Sequence, residues 1–246
     1  MTLYRPETIE GEWDILYRDY PEVYDAWGKI EMEPDIIALL NDQFHFVEKK
    51  IADIGSGTGA STIRLAKYAD SVVGIEIEEA MNAIALSKMQ AMGIRNVQCR
   101  LGDAESIPLR DCSVDVAIAV TLAGGDIRKV ADEMERITKV GGVAIRIDCA
   151  PGWYGGEFNP LITNSERDES TKKGSRNEIL PALGYEFMDV LLDQDYGTVD
   201  KAIETYGFIH GKAVIDYIRE NGVTSIKWKM RVHYKHKTHG WDDRSL

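Results

Sequence analysis

The chain has 246 residues, of which 44% are hydrophobic and 28% charged, and its formal net charge is −12. This length and composition fit one globular domain with a sizeable core, and no apolar run reaches the roughly 18–20 residues that span a bilayer. Because phosphate backbones repel an acidic surface, the charge disfavours a nucleic-acid partner.

The cysteines and the N-terminal residues indicate the cellular compartment of the protein. Cys99, Cys112 and Cys149 lie far apart and form no CxxC pair. That spacing predicts neither a disulfide framework nor a metal site. The opening residues contain no apolar signal region, so we expect a cytoplasmic protein without a membrane partner.

Residues 1–46 are interpreted as a helical cap. Aromatic residues recur there at spacings of four, three, four and three, which places them on one helical face. They are Trp13, Tyr17, Tyr20, Tyr24 and Trp27. Pro21 is expected to begin a second helix there. Two roles stay open for the aromatic face, packing on a sheet or covering a ligand.

Strand-like and helix-like segments alternate from residue 50 to residue 147. The predicted strands are Lys50–Ile54, Ser71–Glu76, Val97–Leu101, 115–120 and 142–147, and the predicted helices are 60–69, Glu79–Ala91 and 127–139. Strands separated by helix-length segments indicate right-handed β–α–β units and a parallel sheet. Near-continuous apolar runs in several strands indicate helices on both faces of that sheet.

Residues 149–246 are less regular. A strand is predicted at 186–192, a helix within 199–221 and a strand at 225–235, which suggests an antiparallel closing pair at the sheet edge. The last strand alternates apolar with basic residues, and its basic face is expected to be solvated rather than to bind nucleic acid. His233, His236 and His239 are likewise expected to be solvated, and the polar stretch 163–176 is expected to form a loop.

The stretch "IADIGSGTGAST" at residues 51–62 predicts a strand, a glycine turn and a helix. Glycines let the backbone approach a ligand closely, and a helix start offers unpaired N–H groups to an anionic group. Glu76, 21 residues after Gly55, ends the second strand, where a carboxylate can accept bonds from ribose hydroxyls. Dinucleotides and other adenosine ligands both fit these features.

Three observations favour a cationic adenosine ligand over a dinucleotide. Asp53 precedes the first glycine by two positions, where it would repel a pyrophosphate and attract an ammonium or sulfonium. Asp103, in "LGDAESIPL", ends the third strand, where it could accept a bond from an adenine amino group. The sequence contains no Tyr-x-x-x-Lys pair and no second domain to hold a hydride acceptor.

Residues 47–148 resemble the class I S-adenosylmethionine-dependent methyltransferases, and most closely the ubiquinone and menaquinone type that acts on small molecules. The matching stretches are "VEKKIADIGSGTGASTIRLAK", "VVGIEIEEAMNAIA", "VQCRLGDAESIPL", "CSVDVAIAV" and "ITKVGGVAIRID", in the family's order. The expected fold is one α/β domain, a doubly wound, Rossmann-like and mostly parallel seven-stranded sheet with an antiparallel closing strand. Within it, 47–148 would be the cofactor core and 149–246 the acceptor and sheet-closing region. Glu76 stands where the family more often has aspartate.

The resemblance implies S-adenosylmethionine as cofactor and a role for each matching position. Asp53 and the loop of Gly55, Ser56, Gly57 and Gly59 would hold its methionine portion, with Tyr24 at its carboxylate. Glu76 would bind the ribose hydroxyls, and Ile77, Met81, Asp103 and the Ala104 N–H would surround the adenine. Val120 and Thr121 would line the path to the sulfonium.

An acceptor pocket is predicted from later residues. His210 is the candidate base, since an ordinary pKa near 6.5 suits proton transfer at neutral pH. Tyr206 and Asp148 are weaker candidates for the same role. Trp153 and Tyr154, in a glycine-rich loop after the fifth strand, are predicted with Tyr206 and His210 to bind the acceptor.

The expected function is methyl transfer to O, N or C of a small-molecule acceptor by in-line displacement, which leaves S-adenosylhomocysteine. One alternative is a protein that binds the cofactor without transfer, as a sensor or partner subunit. Methylation of RNA or protein is a weaker alternative, because the chain is acidic and carries no appended recognition domain. The acceptor's identity and the oligomeric state do not follow from the sequence.

Overall fold

The sheet has eight strands in the order β1-β7-β8-β6-β5-β2-β3-β4 within the residues that the computed structural model describes, 8–162 and 174–238. The strands are β1 (Met32–Glu33), β2 (Lys50–Ile54), β3 (Ser71–Glu76), β4 (Val97–Leu101), β5 (Val114–Val120), β6 (Thr138–Cys149), β7 (Glu186–Asp195) and β8 (Ser225–His236). The loop predicted at 163–176 lies mostly outside the described residues.

Helices cover both faces of the sheet and form the cap. They are α1 (Trp13–Asp19), α2 (Pro21–Gly28), α3 (Ile36–Phe44), α4 (Ala60–Leu65), α5 (Glu79–Ala91), α6 (Ile127–Ile137), α7 (Asn159–Ile162), α8 (Arg176–Ala182), α9 (Val199–Ala202), α10 (Phe208–His210) and α11 (Lys212–Asn221). A 3₁₀ turn covers Gly156–Phe158 and a π-helical turn covers Ile203–Gly207. None of the helices in the described ranges is long and apolar enough to cross a membrane.

The parallel core and the antiparallel edge are confirmed. Strand β2 pairs in parallel with β3 and β5, and the parallel pairing continues to β4 and β6. Strand β8 runs antiparallel between β6 and β7. The predicted count of seven strands omits β1, whose two residues pair with Asp193 and Gln194 of β7. A two-residue strand is too short to carry a period-two pattern, so only the pairing defines it.

The sheet buries apolar side chains on both faces. Ile51, Ile118 and Ile145 pack on one face under α3 and α11, whereas Ile54 and Ala117 pack on the other against α6 and α8. Burying one such aliphatic side chain stabilises a fold by about 1.5–3 kcal/mol. The core therefore holds β2, β5 and β6 in place, and their carboxyl ends form one edge.

The predicted late helix is broken. The chain passes from α9 through the π-helical turn to α10 and then reverses at Gly211, where φ is +104°. The segment before α1 packs there, because the Ile9 and Gly11 N–H groups donate to the Phe208 and Ile209 carbonyls. The cap therefore rests on α10 as well as on the sheet.

Strand β8 has the predicted apolar face, and three of its basic residues are paired within the sheet, whereas Lys235 pairs with Glu135 of α6. Lys227 pairs with Asp193, and Lys229 and Arg231 pair with Asp189, all from β7. These pairs take up the charges that a nucleic-acid contact would use.

The expectation that His233 is solvated is wrong. His233 is fully buried beside the Phe187 ring, although it lies on the basic face of β8. Burial first, and the charges of Arg231 and Arg146 second, lower its pKa to about 4. His236 is exposed as expected, and His239 lies outside the described residues.

Candidate functional site

Three cavities meet at the edge where the parallel strands end. The loop-side cavity, about 210 Å³, lies between the glycine loop after β2 and the segments after β3, β4 and β5. The aromatic cavity, about 480 Å³, lies under α1 and α2 and reaches the ends of β6 and β8. A narrow cavity of about 120 Å³ lies between α2, α3 and α4. The carboxyl edge of an open α/β sheet is the usual place for a ligand.

Most predicted cofactor residues converge on the loop-side cavity. Its walls include Tyr24, Gly55, Gly57, Glu76, Ile77, Met81, Asp103, Ala104 and Thr121. Ser56 and Val120 line the narrow cavity instead. Asp53 and Gly59 line none of the three. Residues from β2, β3, β4, β5 and α2 thus meet within one space.

The glycine loop is shaped by close approaches. Gly55 and Gly57 have φ values of +71° and +54°, which side-chain-bearing residues rarely adopt. A Cβ on Gly55 would overlap Leu122, and a Cβ on Gly57 would lie 3.3 Å from the Tyr24 ring. Gly59 has a different task, because a Cβ there would lie 2.9 Å from Met89 of α5. The first two glycines shape the cavity wall, and the third lets the loop pack on α5.

Glu76 is the carboxylate at the centre of the loop-side cavity. It is 7% exposed, and its Oε2 accepts from the Gly57 N–H while its Oε1 accepts from the Glu78 N–H, both at 2.8 Å. Each carboxylate oxygen has two lone pairs, so both retain acceptor capacity for hydroxyl groups.

The far wall combines an acid and an apolar side chain. One oxygen of Asp103 accepts from the Glu105 N–H at 2.8 Å, which orients the carboxylate at the rim. Ile77 is 64% exposed beside it, an unusual position for isoleucine. A flat ligand could place its apolar face on Ile77 and its polar edge against Asp103.

Asp53 lies beneath the loop rather than on a cavity wall. It is 0% exposed, and its Oδ2 accepts from Ser61 Oγ at 2.7 Å and from Thr62 Oγ1 at 2.6 Å. Its Oδ1 has no hydrogen-bond partner among the described residues. Burial raises its pKa to about 6, against the lowering effect of the two hydroxyls. The Asp53 carboxyl therefore holds the first turn of α4 by hydrogen bonds. It could act on a ligand only through the glycine loop that lies between them.

The aromatic face of the cap both packs and covers a cavity. Trp13, Tyr17, Tyr24 and Trp27 line the aromatic cavity, whereas Tyr20 packs on Phe208. Trp13 Nε1 donates to the Tyr154 hydroxyl at 2.7 Å, which ties α1 to the loop after β6. The aromatic residues therefore pack on other elements and also line a cavity, and their role in covering a ligand stays a prediction.

His210 lies on the wall of the aromatic cavity, where burial makes it a weaker base than its ordinary pKa suggests. Its role as the base stays a prediction. His210 is 8% exposed, neither ring nitrogen has a partner among the described residues, and burial lowers its pKa to about 3. The ring is therefore neutral near pH 7 and a weak proton acceptor, although it can still hydrogen-bond.

Of the other residues predicted to bind the acceptor, one lines the aromatic cavity and two do not. Tyr154 lines the aromatic cavity, but Trp153 lines none of the three. Tyr206 is fully buried behind His210, with ring centroids 4.3 Å apart, and its hydroxyl donates to the Gly155 carbonyl. Tyr206 thus supports the wall rather than forming it.

Sequence reasoning missed several wall residues. Trp228 belongs to the predicted apolar face of the last strand and was not predicted to line a site, and nothing local in the sequence marks Arg176, yet both line the aromatic cavity. Arg176 Nε lies 3.1 Å from Asp148 Oδ2, and so does the Nε of Arg146. Arg146 alternates with Ile145 and Ile147 in β6, which places it on the opposite face of the sheet from them, and nothing local in the sequence shows that this face is buried at Arg146.

Sequence comparisons with known proteins match the part of the chain that carries the glycine loop and the acids after it. Residues 51–142 match the family model described as "Methyltransferase domain". An uncharacterized methyltransferase, YcgJ of Bacillus subtilis, is 31% identical over 103 residues, which cover 41% of each chain. The demethylmenaquinone methyltransferase of Geobacillus stearothermophilus is 33% identical over 129 residues, which cover 49% of this chain and 53% of the relative.

The solved structures extend the likeness in fold to nearly the whole chain. The [4+2]-cyclase SpnF superposes with a TM-score of 0.62 at 16% identity, covering 95% of this chain and 98% of that one. The protein thus has a Rossmann-like fold, which it shares with that structure. By sequence, the chain spans 41% and 53% of the lengths of the two curated relatives.

Asp53 makes stability depend on pH with a definite sign. Its pKa is about 6 in the folded protein and ordinarily 3.8, so between these values the folded state holds a proton that the unfolded chain releases. The contribution of this carboxyl to stability therefore falls as pH rises from 4 to 7, by roughly 2 kcal/mol. Asp53→Asn cannot ionise, and its unfolding free energy relative to wild type should rise by that amount. Urea unfolding at pH 4, 5, 6 and 7 measures this difference.

The exposed Asp70→Asn is the matched control for Asp53→Asn and should show a pH-independent difference from wild type. A difference for Asp53→Asn that stays constant from pH 4 to 7 would contradict the raised pKa.

His210 should stay neutral through the physiological range. NMR spectra of the ¹⁵N-histidine-labelled protein, with the His210 signals assigned by their loss in His210→Asn, should show no titration of this ring between pH 5 and 8. Titration near 6.5 would show that the ring is solvated and restore it as a base.

Proposed function

Because residues 51–142 belong to the class I S-adenosylmethionine-dependent methyltransferases, we propose that this protein transfers a methyl group from S-adenosylmethionine to a small molecule. One observation carries the proposal: the loop-side and aromatic cavities share a wall. The shared residues are Tyr17, Tyr24, Thr121, Leu122, Ala123 and Gly124. A donor in one cavity and an acceptor in the other would meet there.

The loop-side cavity suits the adenosine part of the cofactor. Both Glu76 oxygens keep acceptor capacity for ribose hydroxyls, and the exposed Ile77 offers an apolar surface to a base. Asp103 keeps an oxygen for an exocyclic amino group. Positive φ at Gly55 and Gly57 keeps the loop within reach of the ligand. These residues would hold the nucleoside, and Tyr24 stands between it and the aromatic cavity.

S-adenosylmethionine, when bound, supplies a methyl group already activated by its sulfonium. The protein then mainly has to align the acceptor and exclude water. Trp13, Tyr17, Trp27 and Tyr154 form a wall of the aromatic cavity that can do both. Flat, partly apolar acceptors fit such a wall, and a volume near 480 Å³ is typical of small-ligand sites.

His210 contributes a hydrogen bond rather than strong base catalysis. A neutral imidazole with two unpartnered nitrogens in the wall can accept from an acceptor hydroxyl or amine and orient it. Its low pKa limits proton removal before transfer. Acceptors that need no strong base therefore suit this site best.

A protein that binds the cofactor without transfer is the second candidate. A shared fold does not fix the reaction, as the likeness in fold to a cyclase, SpnF, at 16% identity illustrates, so the fold supports cofactor binding and transfer equally. The two candidates share the cofactor site and differ in turnover. Incubation with S-adenosylmethionine and a metabolite extract separates them, since only an enzyme releases S-adenosylhomocysteine faster than the control without protein.

Cofactor binding is testable by calorimetric titration with S-adenosylhomocysteine, beside NADH. Micromolar binding of the first and none of the second is expected. Glu76→Ala and Asp103→Ala should each weaken binding at least tenfold, about 1.4 kcal/mol, because they remove acceptors of the ribose and the base. Glu76→Gln removes the charge but keeps one acceptor oxygen, enough for the Gly57 N–H and not for the Glu78 N–H as well, and so tests loss of the charge with the loop contact available.

Glu79→Ala, at an exposed position at the start of α5, is the control and should bind like wild type. Thermal unfolding checks that each variant is folded. Preference for NADH, or unchanged binding in both alanine variants, would refute the assignment of the loop-side cavity.

A further inference from the structure

A cluster of charges closes one end of the aromatic cavity. Asp148, at the end of β6, and Arg176, at the start of α8, both line the cavity. Arg146 lies behind them on the same face of β6 and is 1% exposed. The Nε atoms of both arginines lie 3.1 Å from the same oxygen, Asp148 Oδ2.

The charges in this cluster do not balance. Guanidinium groups stay protonated in proteins even where burial lowers their pKa, as it does for Arg146. Two positive charges therefore face one carboxylate, and Asp148 is the only acid paired with either arginine among residues 8–162 and 174–238. A buried, uncompensated positive charge is costly, and an anion beside it would be stabilised.

Hydrogen bonding leads to the same conclusion. Arg146 Nη1 is buried without a partner within the described ranges, and Nη2 has only the Leu122 carbonyl at 3.4 Å. The neighbouring His233 is neutral at pH 7 and adds no negative charge. Glu12, the other acid on the cavity wall, is exposed on α1's N-terminal side. Counted over residues 8–162 and 174–238, the inner end of the cavity thus has a net positive charge, although the whole chain is strongly acidic.

We propose that the methyl acceptor carries a carboxylate that binds Arg176 at this end of the aromatic cavity, with Asp148 and Arg146 holding the guanidinium in place. The inference rests on the proposed function and adds the substrate class. Arg176 is the residue that meets the anion, since it lines the cavity and is partly exposed, whereas Arg146 acts from behind. An aromatic or otherwise flat acid matches both the charge and the aromatic wall.

The cofactor has a carboxylate of its own, so the source of the anion must be separated. Arg176 and Asp148 line the aromatic cavity and neither the loop-side nor the narrow cavity. That position favours the acceptor's carboxylate. The two sources predict different effects of Arg176 variants on binding of S-adenosylhomocysteine alone.

The experiment uses the full chain saturated with S-adenosylhomocysteine and titrates matched acids and amides. The probes are 4-hydroxybenzoate against 4-hydroxybenzamide and indole-3-acetate against indole-3-acetamide. At least one acid should bind ten or more times as tightly as its amide. Arg176→Gln should abolish that preference, Arg176→Lys should restore part of it, and the exposed Arg128→Gln should leave it unchanged.

The outcomes separate the two proposals. If wild type fails to bind S-adenosylhomocysteine, the proposed function fails and the inference fails with it. If it binds and no acid is preferred over its amide, only the inference is overturned. A tenfold loss of S-adenosylhomocysteine affinity in Arg176→Gln would also overturn it, by assigning the arginine to the cofactor's carboxylate.

Discussion

The hydrogen bond from the Gly57 N–H to the Glu76 carboxylate holds the site together. It joins the loop after β2 to the end of β3, whose strands pair in parallel register up to Ile54 and Ile75. The second oxygen of Glu76 takes the Glu78 N–H, so one carboxylate ties the loop, the strand end and the start of α5. Hydrogen bonds to an ionised acceptor are the strong ones, and this one is shielded from water. Tyr24 of the cap packs over Gly57, so the loop that this bond holds also contacts the cap.

Asp53 and Arg146 are both buried ionisable groups, and the cost of burying a charge is offset differently in each. Asp53 can take up a proton, and its pKa rises while two hydroxyls of α4 hold it. Arg146 cannot release its proton at any relevant pH, so it needs an anion nearby. Asp148 supplies one but shares it with Arg176. Below the glycine loop, the buried Asp53 can be neutralised by a proton. At the end of the aromatic cavity, Arg146 and Arg176 share the one acid Asp148 among the described residues, which leaves an excess of positive charge there.

Particular elements show how far sequence reasoning reached. The strands Lys50–Ile54, Ser71–Glu76 and Val97–Leu101 were predicted to the residue, because short strand-like stretches between helix-length segments leave few alternatives. Strand β1 was missed because two residues carry no period. His233 was expected in water because its neighbours along the strand are polar, yet burial of that end of β8 depends on elements distant in sequence. The pKa of His210 was misjudged for the same reason.

By itself the sequence determined the β–α–β core, the glycine loop and the acids that end neighbouring strands. These are local signals, since spacing along one element sets which side chains share a face or an edge. Only the tertiary structure decided which residues enclose the aromatic cavity and how its charges balance. Trp13, Tyr154, His210 and Arg176 come from four segments far apart in the chain. Their proximity follows from how α1, α8 and α10 pack at one edge of the sheet, and no local pattern encodes such long-range packing.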